Sequence, residues 1–457
     1  MNYLKSLFIL VFLTSVIYSQ TTETYTSKWS MDHGYHVFDV CFSPDGSKVL
    51  GIEGTVSLNS VKLFNAGNGQ LIWSRTAAAE MGMFSHDMSK IFIGGASTLA
   101  INAVDGTDLW LNNQSSDCMD VNSTSTRVVV GKEIDRGHGK VVMINAETGV
   151  KIWEGTTQGP VNSIKFSPDG SKVISGGGDL YDREAILWDS QTGSKIWTSL
   201  SSTIILTVNF SPNGNSIIVG TDWQNVFLLN ASSGAVVWNY TLTERFYDSA
   251  FSPDSKKVFL CKTDGVVIQF DTDSGTKLWE NKISTSTLRH IRSSPDGLRI
   301  AVSSDDKNLH ILDMLGGTEL FKGLHTNQVN SLNYSRDGTR IVTGTFYGGK
   351  VSVWQKDGTV GVENFAEELP LSLEVGQNYP NPFNPTTTIH YSLPTQSHVK
   401  INIYNGLGEK VAQLLDKHKA PGRHSLVFDG SSYGSGVYFY EIVANDSREV
   451  RKMLMLK

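Results

Sequence analysis

The chain has 457 residues, and 39% hydrophobic content is enough for packed cores, while 43 glycines fit an all-β protein with many turns. Its 39 Lys and Arg against 45 Asp and Glu leave a net charge of −6, which argues against a nucleic-acid partner. Cys41, Cys118 and Cys261 are odd in number and lack metal-ligand spacing, so buried free thiols are expected rather than disulfides.

Residues 1–19 read as a secretory signal, with a charge at Lys5, an apolar run from Leu7 to Ile17 and a small residue at Ser19. That run is too short to cross a bilayer, and no later segment is long enough for a transmembrane span. After an isolated Trp29, the chain repeats one phrase eight times.

Each unit opens on a turn of the kind Ser43-Pro44-Asp45-Gly46. It recurs at Ser167, Ser211, Ser252, Ser294 and Ser335, with degenerate copies at Ser85-His86-Asp87 and Asn122-Ser123-Thr124. Pro presets φ, Asp bonds its own backbone, and Gly takes the left-handed position. A second turn carries Asn or Asp, then Gly four residues later, then Trp four beyond that: Asn65, Gly69, Trp73 is one case and Asp189, Gly193, Trp197 another. A variant runs Asp313, Gly317, Phe321. An all-strand unit of about 40 residues is the mark of a propeller blade, and its Trp is best read as packing between blades. The eighth unit ends at Trp354 without a following Trp, so the segment around Trp29 is expected to supply its outer strand. The expected fold is an all-β, eight-bladed β-propeller closed by an N-terminal strand, or seven blades if a degenerate unit is incomplete.

Phe166-Ser167-Pro168-Asp169-Gly170 with Trp188-Asp189 resembles the WD40 repeat, and Asp189 to Trp197 resembles the docking motif of quinoprotein-dehydrogenase-like propellers. The resemblance covers about 29–362 and implies the fold. It does not carry a cofactor, because those dehydrogenases use adjacent cysteines and this chain has none. No cofactor and no metal are expected.

The recurring turns share one face and are short and uniform. Loops between the second and third strands lie on the other face and vary, as binding loops on a rigid scaffold do. They carry Asp135, Arg136 and His138, then Asp179, Tyr181, Asp182 and Arg183, then Trp223, and finally Phe346 and Tyr347. Aromatic platforms beside carboxylates suit sugar rings or peptide side chains. The competing reading makes Asp135, His138, Asp179 or Asp182 the acid, base or metal ligand of a secreted hydrolase or lyase, but no hydrolase or phosphate-loop motif accompanies them. A second candidate is the central channel, with Asp39, Asp248, His290 and Arg292 among its polar positions; bonds between blades are the simpler account of those.

Residues 363–370 read as a linker. Beyond them come Asn381-Pro382-Phe383-Asn384-Pro385, then Gly436-Val437-Tyr438 and a terminal Lys457. These resemble the type A C-terminal sorting domain of the type IX secretion system, over about 371–457. The resemblance implies export through the periplasm, recognition by the secretion machinery, and a cell-surface or extracellular destination. Alternation at Val399, Ile401 and Ile403 fits a half-buried strand of a small Ig-like sandwich, whereas 437–442 reads as a strand buried on both faces. The expected function is a non-catalytic binding module for a protein or glycan, in a propeller spanning 20–362.

Overall fold

The computed structural model describes residues 23–32, 35–54, 59–135, 137–179, 182–222, 225–357, 373–376, 378, 381–419, 422–445 and 447–456. The signal expected at 1–19 and the linker expected at 363–370 lie outside the described residues.

All regular elements among the described residues are strands. Eight four-stranded sheets lie between Tyr25 and Lys356. Seven are antiparallel meanders of four consecutive strands. The eighth joins Val329–Tyr334, Arg340–Thr345 and Lys350–Lys356 to the far-off Tyr25–Asp32 strand, with Ser30 opposite Ser352. Repeated four-stranded meanders of this kind make a β-propeller architecture.

The first turn is built by its own side chains. Ser43 Oγ donates to Asp45 (2.6 Å) and accepts from the Lys48 amide (2.9 Å), while Asp45 accepts from the Ser47 amide (2.9 Å). Burial opposes ionisation of Asp45, but these bonds win and hold its carboxyl below its ordinary range. The same bonds recur around Asp169 and Asp337. In the degenerate units Met88 and Ser125 take the left-handed position, at φ of 61° and 54°, and both sheets still have four strands.

Cores form between sheets. Leu50 and Ile52 of the first sheet cluster with Ile91 and Ile93 of the second. At the rim each outer-strand Trp docks on the second turn of the next sheet. Trp153 donates Nε1 to the Ser190 carbonyl (2.9 Å), and its ring lies where a Cβ on Gly193 would sit only 2.7 Å away. Trp29 does the same with Ala66 (2.9 Å) and Gly69. The positive φ of Gly193, +74°, adds a second reason for glycine there. Trp279 differs: Gln269 occupies the Met314 carbonyl (2.8 Å), and the Trp279 indole N–H has no partner among the described residues. The Phe321 variant falls where the eighth sheet lacks the second turn, and Tyr25 packs on it instead, ring centroids 5.0 Å apart.

Toward the C-terminus a three-stranded sheet (Glu374–Val375, Thr386–Leu393, Gly422–Asp429) and a four-stranded one (Lys410–Lys419, Ser397–Asn405, Gly436–Ala444, Ser447–Met455) share one core. Ile389 and Phe428 from the first meet Ile401, Ile403 and Tyr440 from the second. The expectation for 437–442 is corrected in part. Tyr438, Tyr440 and Ile442 are buried, and so is Glu441 on the opposite face, but Val437 there is 39% exposed and Phe439 is only half-buried. One face of that strand meets the other sheet; the opposite face is its outer surface.

Candidate functional site

The variable loops hold two groupings. In the first, a hairpin joins Arg127–Asp135 to His138–Asn145, and Gly137 at its tip comes within contact of Asp179 in the next sheet. Asp179 is structurally engaged: its Oδ1 accepts the Asp182 amide (3.0 Å), and its carbonyl accepts Arg183 Nε (2.9 Å). Arg183 also donates to the Ser202 carbonyl (2.7 Å), so its guanidinium staples the loop. His138 and Asp182 are exposed. Arg136, Tyr181 and Trp223 lie outside the described residues, as does the side chain of Asp135.

The second grouping is aromatic. Phe346 and Tyr347 in the eighth sheet's loop meet His36 at the start of the first sheet. His36 stacks on Phe346 at 4.4 Å and 20°, and Tyr347 stands edge-on to both, at 5.0 and 4.8 Å. His36 Nδ1 also contacts the Phe346 carbonyl. The loop is pinned at Gly349, where a Cβ would lie 1.7 Å from the Tyr35 carbonyl. Tyr347 is 56% exposed and Tyr35 46%. Tyr35 and His36 escape the sequence argument because they follow an inter-sheet connection, whereas its candidate residues all come from the loops between the second and third strands. An aromatic pair just before an inner strand is the signal that could have found them.

The polar positions expected to line a channel bridge neighbouring sheets. Asp248 of the sixth sheet accepts from Arg292 Nη1 (2.5 Å) and the Ile291 amide (3.3 Å) of the seventh, and it faces His290 Nδ1 (3.1 Å). Burial alone would raise its pKa, but Arg292 and His290 hold it well below the carboxylate range. Asp39 has weaker partners, the Val40 amide (2.9 Å), the Gly82 amide (3.3 Å) and Ser331 (3.3 Å), and burial pushes its pKa up. On the variable face Arg289 clasps Asp305 with two 2.8 Å bonds and donates to the Tyr247 hydroxyl (2.6 Å). The three cysteines are free and stand on three different sheets, so no adjacent thiol pair is offered to a quinone.

The sorting-signal residues converge. Asn381 Oδ1 accepts the Leu454 amide (2.7 Å), and Phe383 exchanges backbone bonds with Leu454 and Leu456 (2.9 and 3.0 Å). Phe383 is buried against Phe428, and Tyr438 donates to the Gly434 carbonyl (2.9 Å). The motif at 381–385 thus clamps the final strand. Lys457 lies outside the described residues.

A family model described as outer membrane protein assembly factor BamB (PQQ_2) matches residues 59–181 and 182–368. One described as secretion system C-terminal sorting domain (Por_Secre_tail) matches residues 377–456. No curated protein matches the chain. Among solved structures, the computationally designed Ika8 protein is similar at a TM-score of 0.60 and 17% identity, over 71% of this chain and 97% of that one, a likeness of fold alone. The chain belongs to the propeller-repeat family described as outer membrane protein assembly factor BamB, and its C-terminal sorting domain directs it through type IX secretion to the cell surface or the extracellular space.

Proposed function

We propose that this exported protein is a non-catalytic binding module: an eight-bladed propeller, closed by the Tyr25–Asp32 strand, that holds a protein or glycan on its variable-loop face. Residues 20–362 form the propeller, 363–370 the linker and 371–457 the sorting domain. The carrying observation is the aromatic group of Tyr35, His36, Phe346 and Tyr347. Half-exposed rings fixed on a rigid frame lose little side-chain entropy on binding, and their faces suit sugar rings and apolar side chains. The loop carrying Asp179, Asp182 and Arg183 extends the same face.

The test is an array of glycans and surface proteins probed with the purified full chain, Tyr347→Ala and Trp223→Ala. A specific ligand retained unchanged in solution and lost in Tyr347→Ala is expected. A ligand held equally by both variants would reject this face. A ligand that is cleaved rather than retained would replace this reading with a hydrolase or lyase.

A further inference from the structure

The first turn of the repeat has Pro at its second position in five units: Pro44, Pro168, Pro212, Pro253 and Pro295. Two of the three departures bring a basic side chain, His86 and Arg336; the third is Ser123. His86 and Arg336 belong to the second and eighth sheets, which flank the first. They line one cavity of about 350 Å³ at the short-turn mouth of the channel, together with Arg292 and Asn333. The two basic substitutions therefore converge on a single place, on the face opposite the variable loops.

The basic residues there are not all paired. Arg292 is paired with Asp248, and Lys165, in the adjoining cavity of about 340 Å³, is paired with Asp120 (3.6 Å). Arg336 is exposed and makes no hydrogen bond or ion pair among the described residues. The His86 ring faces Ser125 Oγ (3.2 Å), while burial and then Arg336 lower its pKa, which keeps it neutral at neutral pH. Arg336 is thus the one arginine of the cavity wall without a bonded partner among the described residues. The rest of the cavity wall includes Pro44, Met83 and Pro295, an apolar surface for an organic body rather than a bare ion.

We propose that this mouth binds a small organic monocarboxylate, its carboxylate on Arg336 beside Asn333 and its ring against Pro44, Met83 and Pro295. A phosphate dianion would find only this single unpaired guanidinium, and a neutral sugar would bring it no charge-assisted bond. The site is independent of the variable-loop face.

The test is calorimetric titration of the full chain with glucuronate, benzoate, glucose and inorganic phosphate. The informative variant is Arg336→Pro, which restores the residue the other units carry; the Arg336 amide makes no backbone hydrogen bond that this would remove. Arg336→Gln is the second variant, and a thermal melt by circular dichroism verifies that both fold. Glucuronate or benzoate is expected to bind at millimolar or tighter affinity and to weaken at least tenfold in both variants, with glucose silent. Binding of neither carboxylate, equal binding by the variants, or tighter binding of phosphate through Arg336 would each overturn the proposal.

Discussion

Replacing Trp29 by Ala probes the one sheet assembled from distant parts of the chain. Trp29 is 9% exposed, packs on Phe64 with centroids 5.9 Å apart, covers Gly69 and donates to the Ala66 carbonyl. Truncating a buried Trp costs about 3–5 kcal/mol through lost transfer energy and the cavity left behind. For a unit of this size a guanidinium slope of about 5 kcal/mol/M is reasonable, so the unfolding midpoint should fall by about 0.6–1 M. The assay is guanidinium unfolding of the full chain followed by far-UV circular dichroism, which does not depend on the missing fluorophore. Leu200→Ala, on an outer strand and 82% exposed, is the control and should shift the midpoint by less than about 0.1 M. Trp153→Ala, at an internal junction, should match Trp29→Ala. If Trp29→Ala behaves like the exposed control instead, the Tyr25–Asp32 strand is not docked on the first sheet and the account of the eighth sheet is wrong.

Gly193→Ala should lower stability by about 2–4 kcal/mol, read as a fall in melting temperature, because a Cβ there meets the Trp153 ring at a positive φ. Met88→Gly should raise stability by about 1 kcal/mol, since a non-glycine residue holds φ of 61° in a turn whose other copies mostly use Gly. His325 is buried, donates Nδ1–H to the Gly323 carbonyl and faces the Thr343 hydroxyl with Nε2, and burial lowers its pKa from 6.5 to about 4. The unfolded chain therefore takes up this proton first, and stability should fall by about 3 kcal/mol as pH drops from 6.5 to 4. His325→Gln should flatten that part of a stability–pH curve. His310 acts oppositely: burial lowers its pKa, but Asp306 and Glu319 outweigh that and raise it, so its contribution is present below 6.5 and lost as pH rises through the higher folded value.

The repeat was readable because its turns and its docking Trp each solve a local problem at a fixed spacing. Gly193 and Trp153 belong to different units, yet each is invariant in position within its own, so their meeting comes from stacking copies. What escaped lies where units stop being copies. Tyr25 covering Phe321 depends on the missing second turn of the eighth sheet, and Tyr35 and His36 depend on where an inter-sheet connection delivers them. Val437 and Phe439 are hydrophobic on an outward face, so alternation alone could not tell which side was inside. The convergence of His86 and Arg336 is visible as two broken motifs in the sequence, but their shared cavity required the inner strands of neighbouring sheets to be in place.

The pairing of Ser30 with Ser352 spans 322 residues, whereas the other seven sheets each draw on about one unit of chain. Loop-closure entropy makes such a contact the slowest to form, so local meanders can arise as they emerge while the first strand waits. Until Lys350–Lys356 arrives, Tyr25–Asp32 is an unpaired apolar-faced edge exposed to the crowded envelope. Chaperoning of that one segment, more than of any other, should govern the yield of the exported protein.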